Sequence, residues 1–217
     1  MRRDADLVRL VDEALAAELC GGLPALRSYL VADPYGEQTL AAVVEPLVGS
    51  IHLVTGPSGT ALLYALARRA LGHRVVVLGF DGGALARAAA DLGVECQRGG
   101  LEPELRPRDV VVAVGPVARE LVERVGHATS EVGGLLIVDE TDAPNADLAA
   151  GAATVVACTP AAVVVRDVPA LPAAGLGLGL CLGGLAAVEE ARSAVPPLFA
   201  SSLSLAVGRT ILASQRR

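Results

Sequence analysis

Three carboxylates fall within four residues in Ile137-Val138-Asp139-Glu140-Thr141-Asp142, directly after a run of apolar residues. Carboxylates crowded in this way do not all ionise equally easily, so one can keep its proton and act as a general acid while a neighbour acts as a base. Asp139, Glu140 and Asp142 are therefore candidate catalytic groups. The same segment also reads as a solvated strand exit into Ala143-Pro144, and the residues alone leave both readings open. A second candidate is Thr55-Gly56-Pro57-Ser58-Gly59-Thr60, between an apolar run and a helical pattern. Backbone N–H groups and the helix dipole hold anions in such turns. It lacks the lysine of a P-loop and the spacing of G-x-G-x-x-G, and it also reads as a plain helix N-cap. Gly79-Phe80-Asp81-Gly82-Gly83 is a weaker dinucleotide loop, because no acidic residue ends a following strand where a ribose would need one. His52 and His127 are lone histidines and secondary proton-transfer candidates.

One residue type is missing. All 18 basic residues are arginine, so the chain has no lysine. A guanidinium stays protonated, whereas a lysine amine can deprotonate and attack a carbonyl. No side chain here can form a Schiff base.

These groups need a scaffold, and the composition supplies one. At 217 residues and 53% hydrophobic content the chain can bury a large core, and with 2% aromatics that core is built of Ala, Val and Leu. The net charge of −6 and the absence of a basic stripe argue against nucleic acid and anionic membranes as partners. Cys20, Cys96, Cys158 and Cys181 are widely spaced with no C-x-x-C pair, which points to reduced thiols in the cytoplasm and to no metal site. The N-terminal apolar pattern is interrupted by acids and is no signal peptide. Val168–Val188 is uncharged, but its prolines, its glycines and the period-two run Gly175-Leu176-Gly177-Leu178-Gly179-Leu180 fit a buried strand better than a membrane helix.

Helical spacing predicts amphipathic helices over Asp4–Cys20 and Gln38–Val48. From there, short Val/Leu runs alternate with helical stretches. Strands are expected at His52–Thr55, Arg74–Gly79, Val110–Val114, Leu135–Val138, Thr154–Cys158, Val163–Arg166 and Leu176–Leu182, with the last three close together at the centre or at an antiparallel edge. Helices are expected at Ser58–Leu71, Ala84–Leu92, Val117–Val125, Leu185–Ala194 and Pro197–Gln215. The pattern is that of an α/β three-layer sandwich around a mostly parallel sheet. It divides into a helical arm (1–50), an α/β domain (51–195) and a closing helix (196–217).

Together the segments resemble the large domain of fold-type I pyridoxal-phosphate (PLP) enzymes, in the class I/II aminotransferase branch that is similar to histidinol-phosphate aminotransferase and threonine-phosphate decarboxylase. The resemblance covers about Asp33 to Ser204. Asp33-Pro34-Tyr35-Gly36-Glu37-Gln38-Thr39-Leu40 resembles the turn before a helix that packs on the core. Val54 to Leu62 matches the phosphate-cup loop and its helix, and Val138-Asp139-Glu140-Thr141-Asp142 matches D-E-x-Y. Gly175-Leu176-Gly177-Leu178-Gly179 resembles G-L-R-L-G, and Pro196 to Leu203 resembles the segment leading into the interdomain helix.

The resemblance implies a cofactor contact for Asp139, at the pyridinium nitrogen, and a phosphate site at Gly56, Ser58, Gly59 and Thr60. It also implies departures. The Schiff-base lysine is expected near Val168-Pro169-Ala170, the phosphate-holding arginine falls at Gly177, and the D-E-x-Y tyrosine falls at Asp142. The asparagine of the family's Asn-Pro loop falls at Gly115, and the ring-stacking aromatic falls at about Gly82. The chain ends within the expected interdomain helix, so the small C-terminal domain is expected to be absent. The expectation is a protein with no tightly held cofactor and at most weak, non-covalent PLP. It would serve as a pseudoenzyme subunit in a homodimer or a heterodimer with an intact fold-type I chain. The alternative is a PLP-independent biosynthetic enzyme doing acid–base chemistry on a small molecule in the old cofactor pocket.

Overall fold

The computed structural model describes residues 33–215 except 80, 101, 143–147, 169–176 and 198, together with Arg9, Asp12, Glu13 and Ala16. Those four N-terminal residues are helical, and the rest of the Asp4–Cys20 expectation lies outside the described residues.

The strands are β1 (His52–Gly56), β2 (Arg74–Leu78), β3 (Glu95–Gly99), β4 (Val110–Val114), β5 (Leu135–Asp139), β6 (Ala162–Asp167) and β7 (Gly179–Gly183). They form one sheet in the order β1-β7-β6-β5-β4-β2-β3. The β6–β5–β4–β2–β3 pairings are parallel, and β7 pairs antiparallel with both β6 and β1. The helices are α1 (Glu37–Val48), α2 (Gly59–Ala67), α3 (Gly83–Asp91), α4 (Arg119–Glu131), α5 (Ala153–Val156), α6 (Leu185–Arg192) and α7 (Ser202–Ser214). This is the expected three-layer sandwich.

Burial on both faces explains the uninterrupted Val and Leu runs, because in a central strand both side-chain directions must be apolar. On β5, Leu135 and Ile137 pack in the cluster that holds α2, α3 and α6. Leu136 and Val138 pack in the opposite cluster, with α1, α4, α5 and α7. The two-residue period thus assigns Asp139 to the α2/α3 side and Glu140 to the other.

One expectation needs correction, and one strand was not expected. Thr154–Cys158, expected as a strand, contributes instead to α5 and the turn after it. A five-residue apolar run fits a buried helix turn as well as a strand, and here it packs as a helix over β6 and β7. The edge strand β3 carries no apolar alternation and is mostly exposed, so nothing in its side chains announces it. It is held by the backbone ladder to β2. The remaining expected elements are present with ends shifted by a few residues, and the start of the Leu176–Leu182 strand moves to Gly179. No helix among the described residues is long and apolar enough to cross a membrane.

Candidate functional site

The carboxyl ends of β2, β4, β5 and β6, the end of β1 and the start of β7 meet at one edge of the sheet. Gly179 on β7 pairs with both Gly56 and Asp167, which brings the two loops on either side of it together. Ligands bind at this edge in open α/β sheets.

Asp139 ends β5 and is 4% exposed. Its Oδ1 accepts hydrogen bonds from the Thr141 amide (3.1 Å) and the Thr141 hydroxyl (2.7 Å). Its Oδ2 faces Gly83, where a Cβ would stand 2.7 Å from that oxygen and where the backbone takes φ +58°. Glu140 does not join it. On the opposite face, Glu140 Oε1 accepts from the Ala152 amide at 2.9 Å, and Oε2 lies 3.3 Å from Arg166 Nε, with both side chains 4% exposed. Asp142, in the turn after β5, is exposed.

The loop after β1 caps α2. Ser58 is extended, and its Oγ accepts from the Ala61 amide at 3.1 Å. The first helical amide, Gly59 N, donates to Asp167 Oδ1 at 2.6 Å. Burial pushes the Asp167 carboxyl above its ordinary value, Asp139 and Asp142 add to that, and the Gly59 amide opposes it without prevailing. Sequence reasoning missed Asp167. It stands 108 residues from Gly59, and only the sheet pairing through Gly179 joins them.

Several positions near this edge have no room for a side chain. A Cβ at Gly177 would overlap the Pro57 carbonyl oxygen, and one at Gly179 would overlap the Ser58 and Gly59 backbone. A Cβ at Gly59 would overlap the Thr141 methyl, and one at Gly82 would stand 2.8 Å from Val77 Cγ2. The position to which the resemblance assigns a phosphate-binding arginine, Gly177, is thus closed by backbone contact, and that of the stacking aromatic, Gly82, by the Ala86 and Val77 side chains. Thr60 and Gly56 lie where the sequence places them, at the start of α2 and the end of β1.

The two histidines lie elsewhere. His52 begins β1, at the far end of the sheet, where Nδ1 is 2.8 Å from Glu37 Oε1. His127 is exposed on α4. Among the described residues no group of His, Cys, Asp or Glu is placed to hold a metal ion. Cys181 is buried in β7, which pushes its thiol up to about 12, so it is not a reactive group.

No family model matches the chain, and no curated protein matches it in sequence. Solved structures do match. L-threonine-O-3-phosphate decarboxylase from Porphyromonas gingivalis superposes with a TM-score of 0.67 at 14% identity, over 92% of this chain and 65% of that one. Histidinol-phosphate aminotransferase from Clostridium acetobutylicum gives 0.64 at 12% identity, over 94% and 66%. The enzyme of the same name from Sinorhizobium meliloti, in complex with pyridoxal-5'-phosphate, gives 0.63 at 17% identity, over 95% and 61%. The chain therefore spans just under two thirds of the length of these structures. Its fold is that of the large domain of these pyridoxal-phosphate-type enzymes.

Proposed function

We propose that this chain is an aminotransferase-fold protein without Schiff-base chemistry, acting as a non-catalytic structural or regulatory subunit. The observation that carries the reading is the exit of β6. Where the resemblance calls for the lysine, the chain runs Val168-Pro169-Ala170, and no lysine occurs anywhere in its 217 residues. A Schiff base supplies both the covalent tether and access to the electron sink of the ring, and neither is available without an amine. The closed positions at Gly82 and Gly177 support the same reading, because they leave no room for the aromatic and the arginine that would hold the cofactor. Each lost charge-assisted contact to a phosphate removes about 1.5–3 kcal/mol of grip. Of the contacts that the resemblance implies, the sequence keeps Asp139 and the Gly56–Thr60 loop, and without the lysine, the arginine and the aromatic this residue set does not fit PLP.

The family builds its sites at a dimer interface. The partner we propose is accordingly a second copy of this chain or an intact fold-type I subunit, in the cytoplasm. Light-scattering mass tests this: a dimer, or a mixed species with an intact aminotransferase, is expected, and a monomer under both conditions contradicts it.

A second reading is favoured by one observation, the raised pKa of Asp167 beside Asp139 and Asp142. A carboxyl held toward its neutral form is what a general acid needs. A PLP-independent enzyme of biosynthesis would use Asp139 and Asp142, with Asp167, for cyclisation, condensation or isomerisation of a small molecule. Asp139→Asn and Asp142→Asn separate the readings. A subunit keeps its partner with both substitutions, whereas an enzyme keeps its fold and loses turnover.

A further inference from the structure

We propose that Asp167 is a built-in occupant of the anion cradle at the amino terminus of α2, and that its carboxylate closes this cleft to phosphate-bearing ligands. The inference holds whether the chain is a scaffold or an enzyme, because it concerns what the cleft admits.

The first amides of a helix have no partner within it, and with the helix dipole they attract a negative charge. In α2 the chain meets this demand itself. Ser58 Oγ takes the Ala61 amide, and Asp167 Oδ1 takes the Gly59 amide at 2.6 Å. A phosphate at this terminus would have to displace a carboxylate that already carries the complementary charge. It would also have to enter beside two further carboxylates, Asp139 and Asp142, whose influence reaches Asp167. Arg166, the residue before Asp167 on β6, is engaged with Glu140 on the other face of the sheet.

Space gives the same answer as charge. The Thr141 methyl lies against Gly59, and Asp167 Oδ2 would be 3.2 Å from a Cβ there. From below, the backbone at Gly177 and Gly179 presses on Pro57 and Ser58. The cradle is thus lined on one side by the start of β7 and covered on the other by Thr141 and Asp167. The cost of keeping a carboxylate in this place is visible in its raised pKa, and the fold retains it. Charge and packing together make Asp167 the residue that determines which ligands are rejected.

The test is calorimetric titration of the full chain with pyridoxine 5'-phosphate and, separately, inorganic phosphate. The alcohol form of the vitamer cannot condense with the N-terminal amine, so the signal reports non-covalent binding only. Wild type is compared with Asp167→Ser, which removes the charge and frees the amide, and with Asp167→Asn, which removes the charge at nearly constant shape. Wild type is expected to show no saturable binding, and each variant is expected to bind the phosphate ester roughly tenfold or more tightly than wild type. Far-UV circular dichroism establishes which variants are folded, and the asparagine form carries the test if the serine form does not fold. Wild type binding as tightly as the variants overturns the proposal, and so does either folded variant with no gain. Phosphate binding by wild type without turnover of an amino donor would sink this inference alone. Turnover of an amino donor would sink the functional reading instead.

Discussion

Asp109 and Asp167 stand at opposite ends of the same sheet and have opposite surroundings. Asp109, at the amino end of β4, is 1% exposed and receives Arg74 Nε and Nη2 at 2.9–3.0 Å together with the Arg106 amide at 2.6 Å. Arg74 is buried as well, also donates to the Glu104 carbonyl at 2.6 Å, and is held above its ordinary pKa chiefly by its hydrogen bond to Asp109. Asp167, at the carboxyl end of β6, has a backbone amide for a partner and carboxylates for neighbours, and its proton is held more tightly than usual. Buried charge at the amino end is neutralised and serves the fold. At the carboxyl end the charge around Asp167 is left in conflict, while Glu140 and Arg166 on the other face are paired.

The sharpest way to break this comparison is to remove Asp109. Asp109→Ala leaves the Arg74 guanidinium buried without its carboxylate, and an expected loss of about 3–5 kcal/mol should appear in urea unfolding. A loss no larger than that of an exposed substitution would mean that the amino end is not the anchored one.

A smaller effect separates the two neighbours on β5. Glu140→Gln weakens the buried contact to Arg166 and should cost about 2–3 kcal/mol. Asp139→Asn keeps the Thr141 hydrogen bonds on Oδ1 and should cost less than about 1 kcal/mol. Equal losses would dissolve the distinction between a structural face and a site face.

Gly179→Ala comes next. Its methyl would press into the Ser58 backbone, so a loss of about 1–3 kcal/mol is expected from overpacking, measurable as a lower midpoint in denaturant. An unchanged midpoint would show that the capping loop can move away, and that the cradle is less fixed than described.

The smallest effect is one of sign. Because the Asp167 carboxyl is raised in the folded chain, its contribution is fully present below its ordinary value of 3.8 and is lost as pH rises through the raised value. The groups acting on it are Asp139, Asp142 and the Gly59 amide. Asp167→Asn should therefore gain in thermal stability relative to wild type as pH rises from about 4 toward neutrality. A difference that shrinks over that range would contradict the assignment.

The contrast also explains what was legible in the sequence. The doubly buried strands were, because Val110–Ala113 and Leu135–Val138 have no place other than a covered sheet. So was the site edge, because Asp139 and the Gly56–Thr60 loop lie where strands end. What side chains do across the sheet was not. Nothing in Asp139-Glu140 states that one faces α3 and the other Arg166, until the register of β5 fixes the period. Asp167 lies just past the expected strand Val163–Arg166 and drew no reading, because its partner is an amide far away in the chain. β3 was silent because its ladder to β2 is made by the backbone, and α5 was misread because a run as short as Thr154–Cys158 has no measurable period.

Absence of Schiff-base chemistry can be read directly from the chain's reaction with the cofactor aldehyde. The purified chain is mixed with pyridoxal 5'-phosphate, scanned across the near-ultraviolet and visible range, reduced with borohydride and mapped by peptide mass spectrometry. No saturable shifted band and no pyridoxyl adduct on any side chain are expected, with labelling confined to the N-terminal amine. A saturable band with the cofactor held in the cleft beside Asp139 would contradict that expectation.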